Sequence, residues 1–357
     1  MTYSKTKVAL VIPSLIIGGA QRMVCELIRN LDYDRFEVFL HCFQAGSSES
    51  FLNSVSSTSA QLRLHGPFDN FGARELGLIS RSLTKDNPDV VHAHLGGIQA
   101  SIPWALLHSK REIITLHSTM PAALDGLTLA LVKAAGKKRV QPVAVSNQNL
   151  VQARDFFGSK FPNMVAINNG ITLGDYKQCD LQSDPCFINV ATQDENKNQA
   201  LIVNAFKRLQ AHVPNARLVL VGDGPKHGLL KKMAQGNEAI SIIGSSSRVP
   251  ELLSKANVYV QSSNREGMPL AILEGLASGM PIISTDVGGI KDTVTSDCSI
   301  LIGAGQEDQM LDAMLKLSDG EARVKMGQAA KIQAGLFSAS IMASKYEDLY
   351  LKAQCHG

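Results

Sequence analysis

The segment EGMPLAILE holds two carboxylates, Glu266 and Glu274, with seven residues between them. Pro269 suits a first helical position and Gly279 a stop, so the spacing predicts a helix over 269–278. Leu270, Ala271, Ile272, Leu273, Leu276 and Ala277 leave that helix almost no polar face, which predicts burial nearly all round. A carboxylate on such a helix is costly unless something donates hydrogen bonds to it, and the hydroxyl groups of a ligand would do so. Side chains tilt towards a helix N-terminus, so Glu274 should lean back to the strand exit where Glu266 lies. Two blander readings stay open: Glu274 facing a solvent gap, and Glu266 as an ordinary loop carboxylate.

Gly18 and Gly19 sit between a strand and the start of a helix, where backbone N–H groups and the helix dipole favour a phosphate. Any tight strand-to-helix turn would use the same glycines. Gly288 and Gly289 open another such turn, for which a structural role is expected. His92 and His94 alternate along one face of a strand, and with His117 they imitate a metal site. No Asp or Glu joins them at ligand spacing, and histidines at strand ends more often hydrogen-bond loop backbone or substrate. No metal ligand set is therefore expected.

These residues need a scaffold, and strand-length apolar runs alternate with helical patterns along the whole chain, the pattern of parallel βαβ units. Val8 to Pro13 reads as a buried strand, followed by a helix with Met23, Val24, Leu27, Ile28 and Leu31 on one face. FEVFLHCF, DVVHAH, EIITLH and VAVS continue the series. Segment 171–185 loses periodicity and reads as a linker. The rhythm then restarts with CFINVA, RLVLVG, ISIIG, ANVYVQS, PIIST and SILIG, followed by two terminal helices, the last near 340–352. The expected domains are 1–176, 177–335 and a C-terminal helix, 336–357, packing back on the first. A nicotinamide-dependent enzyme is disfavoured because no G-x-G-x-x-G follows either opening strand.

A chain of 357 residues suits two cores, and 45% hydrophobic with 19% charged residues fits a globular protein. Residues 1–176 carry 17 Lys and Arg against 13 Asp and Glu, and the remainder is near balance. Such a spread provides no concentrated basic face for nucleic acid. Six cysteines without a CxxC pair fit a reducing compartment. The apolar N-terminus, interrupted by Pro13 and Ser14, reads as a first strand and not a signal peptide. No run reaches the roughly 18 apolar residues of a membrane span. A cytoplasmic protein is expected. Leu127 to Arg139 reads as an apolar helix with a basic end, either a core helix or one resting on an anionic membrane surface.

The second half resembles glycosyltransferase family 4, through Lys197-Asn198, VGDGP (221–225), IIG (242–244), the two-glutamate motif and LASGMPIISTDVGG (276–289). The first half is similar more loosely, in GGAQR (18–22), VVHAH, TLH, AVS and NNGI. The resemblance implies a GT-B α/β fold, two facing Rossmann-like domains with parallel sheets and a deep interdomain cleft. It implies a retaining transferase of UDP- or GDP-linked sugars, without cofactor or metal, acting on a glycan, lipid-linked or protein-linked acceptor. Surface polysaccharide or glycolipid assembly is the expected setting, with peripheral contact at the inner membrane face. By resemblance Glu274 binds the donor ribose, Glu266 the sugar hydroxyls and Lys197 the diphosphate, while His117 meets the transferred sugar. Gly18, Gly19, Gly222, Gly244, Met268, Pro269 and Leu270 join the donor site, with Asn198 beside it. The family usually has an Arg five residues before the lysine, and this chain has Thr192 there. Losing one cation at a developing charge would cost a few kcal/mol. Arg22 is a candidate substitute, or else a solvated helix residue. The alternative is a non-catalytic nucleotide-sugar or partner-binding protein on the same scaffold.

Overall fold

A computed structural model of the chain describes residues 4–16, 18–44, 49–66 and 73–354. Its contacts divide into two compact units, 1–170 with 339–357, and 171–338.

The first unit opens with β1 (Thr6–Ser14), α1 (Gly19–Asn30), β2 (Phe36–Gln44), α2 (Glu49–Ser56), β3 (Gln61–Leu64) and α3 (Ala73–Asp86). It continues with β4 (Val90–His94), α4 (Gly97–Leu107), β5 (Arg111–Leu116), α5 (Gly126–Ala135), β6 (Val140–Ala144), α6 (Asn147–Phe157) and β7 (Val165–Ala166). All pairings are parallel and the strand order is β3-β2-β1-β4-β5-β6-β7. Val8 to Ile12 are buried without alternation, as a strand covered on both faces requires.

The second unit holds β8 (Cys186–Val190), α7 (Gln199–Leu209), β9 (Arg217–Val221), α8 (His227–Ala234), β10 (Ile240–Ile243), α9 (Val249–Leu253) and β11 (Val258–Gln261). Then come α10 (Leu270–Ala277), β12 (Ile282–Thr285), β13 (Ser299–Ile302), α11 (Glu307–Lys316) and α12 (Gly320–Ala334). Its parallel sheet has the order β10-β9-β8-β11-β12-β13. The core gathers Phe187, Ile202, Phe206, Leu218, Val258 and Met314 between sheet and helices. The last helix, α13 (Ala339–Gln354), belongs to the first unit and buries Tyr346 and Tyr350 there. Three helices thus follow β13, not two, because Asp319 caps α12 through the Glu321 N–H and starts a separate helix.

One further sequence reading changes. The supposed linker is part of the second unit: Ile171 bridges to Ser338, Tyr176 is buried, and Cys179 N–H bonds the Ser278 carbonyl. Residues 171–176 accordingly lie with the second unit. The helix near Leu127 does pack on the first unit's core, through buried Thr128 and Val132 and partly buried Leu129, Leu131 and Ala135, while Leu127 is exposed.

Candidate active site

In the second unit β8 and β11 lie side by side although two strands separate them in sequence, so the loops leaving them diverge. Open α/β sheets bind ligands at such a switch point. The loop after β8 carries Lys197 and the loop after β11 carries Glu266. Asp194 Oδ1 accepts the Lys197 N–H at 2.9 Å, and Asn198 turns the chain at φ +46, a left-handed conformation that Asn tolerates. Ser262 Oγ donates to the carbonyls of Lys197 and Asn198 at 2.8 and 2.9 Å. These anchors bring Lys197 Nζ to 2.6 Å from Glu266 Oε1.

The same Oε1 accepts from Gln261 Nε2 at 2.8 Å and Ser263 Oγ at 2.6 Å. Gln261 Oε1 in turn accepts the Tyr259 hydroxyl at 3.1 Å. All of these donors to Glu266 fall on one oxygen, which leaves Oε2 as an acceptor for a further hydroxyl. Gly288, at φ +55, abuts this loop so closely that a Cβ would overlap the Glu266 carbonyl oxygen. Gly289 N–H bonds the Gly267 carbonyl at 2.9 Å, so the glycine pair fixes the Glu266 backbone.

Helix α10 begins at Leu270, with Pro269 as an extended N-cap and not the first helical residue. Gly279 follows its end at φ +74. Glu274 is buried on this helix and accepts a hydrogen bond from the Tyr176 hydroxyl at 2.9 Å. The sequence reading missed Tyr176, because the segment around it shows no periodicity. Met268 and Leu270 are buried on either side of Pro269.

Gly222, at φ +136, lets the loop after β9 pass the Ala191 carbonyl, which a Cβ would overlap, and Gly244 follows β10. Thr192 is exposed and its carbonyl accepts from Gln199 Nε2 at 2.9 Å. Its neighbour Gln193 is buried, with Oε1 bonded to His227 Nδ1 at 2.8 Å. Arg22, in the first unit, is ion-paired with Glu26 at 3.0 Å. Gly18 is the extended N-cap of α1 and Gly19 its first residue.

The first unit gathers its histidines where β4 and β5 end. His92 Nδ1 meets the Tyr350 hydroxyl at 2.7 Å and its Nε2 meets Thr115 Oγ1 at 2.8 Å. His94 Nδ1 lies 3.0 Å from His117 Nε2. Burial pushes His117 down to about 4 and, together with neighbouring histidine charge, holds His92 and His94 well below the ordinary imidazole value. The cluster is uncharged at neutral pH. Among the described residues no three His, Cys, Asp or Glu side chains are arranged to hold a metal ion.

Comparison with known proteins assigns both halves. Residues 17–174 match the family model described as Glycosyltransferase Family 4, and residues 179–333 the one described as Glycosyl transferases group 1. The chain belongs to glycosyltransferase family 4. An Escherichia coli UDP-Gal:alpha-D-GlcNAc-diphosphoundecaprenol alpha-1,3-galactosyltransferase is 24% identical, over 98% of each chain. A Bacillus anthracis N-acetyl-alpha-D-glucosaminyl L-malate synthase is 23% identical, over 84% of this chain and 83% of its own. Anabaena Alr3699/HepE, solved in complex with UDP-glucose, superposes with a TM-score of 0.83 at 15% identity, covering 97% of this chain and 99% of its own. The glycosyltransferase is thus a nucleotide-sugar-dependent enzyme of GT-B fold.

Proposed function

We propose that this glycosyltransferase moves a sugar from a UDP- or GDP-linked donor with retention of anomeric configuration, in the assembly of a surface polysaccharide or glycolipid. The observation that carries the reading is the Lys197–Glu266 contact at a sheet switch point in the unit that also buries Glu274. Lys197 and the N-terminal end of α10 neutralise the diphosphate. Glu274, steadied by Tyr176, takes the ribose hydroxyls. Glu266 Oε2 takes a hydroxyl of the sugar.

Glu266 is a poor covalent nucleophile, since three donors including an ammonium hold one of its oxygens. The anomeric bond to the diphosphate breaks and the acceptor oxygen bonds the same face of that carbon. The acceptor proton passes to a diphosphate oxygen, and His117 donates a hydrogen bond to the transferred sugar. No metal is required where Lys197 and a helix terminus supply the positive field.

The name of the Escherichia coli relative, which acts on a lipid diphosphate, supports a lipid-linked acceptor, whereas that of the Bacillus anthracis relative names L-malate. Helices α4 and α5 pack together and expose Leu107 at 80% and Leu127 at 63%, beside exposed Lys133, Lys137 and Lys138. That mixture suits an anionic membrane surface, and with it a place on the cytoplasmic face. Among the described residues no helix is long and apolar enough to cross a membrane.

The test is transfer from a panel of UDP-, GDP- and ADP-sugars to lipid-linked and free glycan acceptors, with the product's anomeric configuration read by NMR. Donors that bind should also raise the melting temperature, since ligand at 100 times its Kd stabilises by about 2.7 kcal/mol. An inverted product would overturn the retaining mechanism.

A further inference from the structure

His94 lies fully buried on β4, its ring centroid 4.1 Å from that of His92. Its Nδ1 contacts His117 Nε2, whereas its own Nε2 is buried without a hydrogen-bond partner. A neutral imidazole carries one N–H and one lone pair. A proton on His94 Nε2 would therefore be an orphaned buried donor, a rarer state in proteins than an orphaned acceptor. A proton on Nδ1 is satisfied by donating to His117 Nε2. We infer that His94 is a positioning residue which fixes His117 in its Nδ1–H tautomer, with Nε2 accepting and the Nδ1 proton directed to a ligand oxygen.

The surroundings hold this arrangement. Both nitrogens of His92 are taken by Tyr350 and Thr115, and Thr115 Oγ1 also lies 3.0 Å from the Tyr346 hydroxyl. His92 therefore cannot serve as the partner of His94 Nε2. Leu95, immediately after His94, adopts φ +52, a strained conformation for a leucine that persists only where packing over-determines it. No hydrogen bond among the described residues engages His117 Nδ1, and His117 is half-buried. Burial keeps the three rings neutral near pH 7, which excludes a doubly protonated imidazole. A carbonyl or ether oxygen accepts from Nδ1–H, and so does a hydroxyl. The opposite tautomer would leave a lone pair facing the ligand, unable to donate.

The consequence for catalysis rests on the proposed role of His117. The experiment is a long-range 1H–15N spectrum of the histidine-labelled enzyme, with the His117 signals assigned by their loss in His117→Gln. The parent should show His117 protonated at Nδ1 and bare at Nε2. His94→Phe removes the N–H that occupies Nε2, so the two tautomers should mix, and kcat should fall roughly 10- to 100-fold with donor KM within about twofold, the signature of a wrong tautomer. His94→Asn, which keeps an N–H donor at about the same place, should restore both tautomer and turnover. A His117 protonated at Nε2 in the parent overturns the inference. So does a His94→Phe enzyme whose tautomer is unchanged, or a His94→Asn enzyme that loses the Nδ1–H form. Should His94→Phe not fold, the parent and His94→Asn spectra still decide it. If His117→Gln transfers sugar at the parental rate, the role of His117 fails while the tautomer assignment stands.

Discussion

Lys197 Nζ and Glu266 Oε1 lie 2.6 Å apart, with the lysine side chain 22% and the glutamate 8% exposed. The cation proposed for the diphosphate and the carboxylate proposed for the sugar thus neutralise each other in this structure. A diphosphate entering this site competes for Lys197 and frees Glu266 to take a hydroxyl. Lys197→Ala should weaken donor binding by roughly 10- to 100-fold, the usual cost of losing a charged hydrogen bond. It should also lower the melting temperature, because a buried carboxylate is left unpaired. Calorimetric titration with the donor and a melting curve check both; unchanged donor affinity would place the diphosphate elsewhere.

The vacant cation position yields a gain-of-function prediction. Thr192 is exposed and only its backbone carbonyl is engaged, so an arginine side chain fits without displacing a core group. Thr192→Arg should raise kcat by ~10-fold through added stabilisation of the leaving diphosphate. Initial-rate kinetics at saturating donor test this, and a rate equal to the parent's would show that another group already supplies the second charge.

The two glutamates should separate kinetically. Glu274→Gln and Tyr176→Phe would disturb the same proposed ribose contact, one made in ground and transition states alike, so both should raise donor KM with kcat nearly constant. Glu266→Gln removes a charge beside a sugar that distorts during transfer, and should lower kcat. Parental turnover in Glu266→Gln would end its catalytic assignment. Unfolding of Glu274→Gln would mark that carboxylate as structural.

Periodicity and turn residues made both sheets legible, because buried parallel strands read as unbroken apolar runs. Glu274 stood out as a carboxylate on an apolar helix and Glu266 as its companion at a strand exit, whereas Lys197 was marked only by the family resemblance. Tyr176, Gln261 and Ser263 were not legible. Their importance comes from long-range contacts, Tyr176 with Glu274 across 98 residues, and from side chains that look ordinary in a loop or strand. The His94–His117 contact joins the end of β4 to the residue after its neighbour β5, and strand neighbours follow from topology, which a single sequence does not display. For α5 the apolar pattern correctly marked a core-facing side, with Leu129, Leu131 and Val132 at the core, but it did not show that Leu127 stays exposed.

Transfer should survive chelation. In the proposed mechanism Lys197 and the N-terminus of α10 supply the positive field where a metal would otherwise bridge the diphosphate. Rates in excess EDTA should match those in buffer, and a complete loss restored by Mg2+ or Mn2+ would sink the metal-independent reading.

The last prediction concerns stability. Glu112 on β5 is fully buried, with Oε1 accepting from Ser101 Oγ at 2.7 Å and Oε2 without a partner. Burial pushes its carboxyl up to about 8 against an ordinary value of 4.5, partly offset by the Ser101 bond. Between those values the folded chain holds a proton that the unfolded chain has released. Stability therefore falls as pH rises through this window, by up to about 1.4 kcal/mol per pH unit. The buried histidines act in the opposite sense. His41, held at about 3, and His117, at about 4, stay neutral when folded, so acid below 6.5 favours the unfolded chain. That contribution is common to the parent and to Glu112→Gln and cancels in their difference. The glutamine variant should therefore gain on the parent steadily from pH 6 to pH 8 and then hold a constant lead. Urea unfolding of both proteins at half-unit pH steps measures the difference, and a difference independent of pH would show that Glu112 is ionised in the folded enzyme.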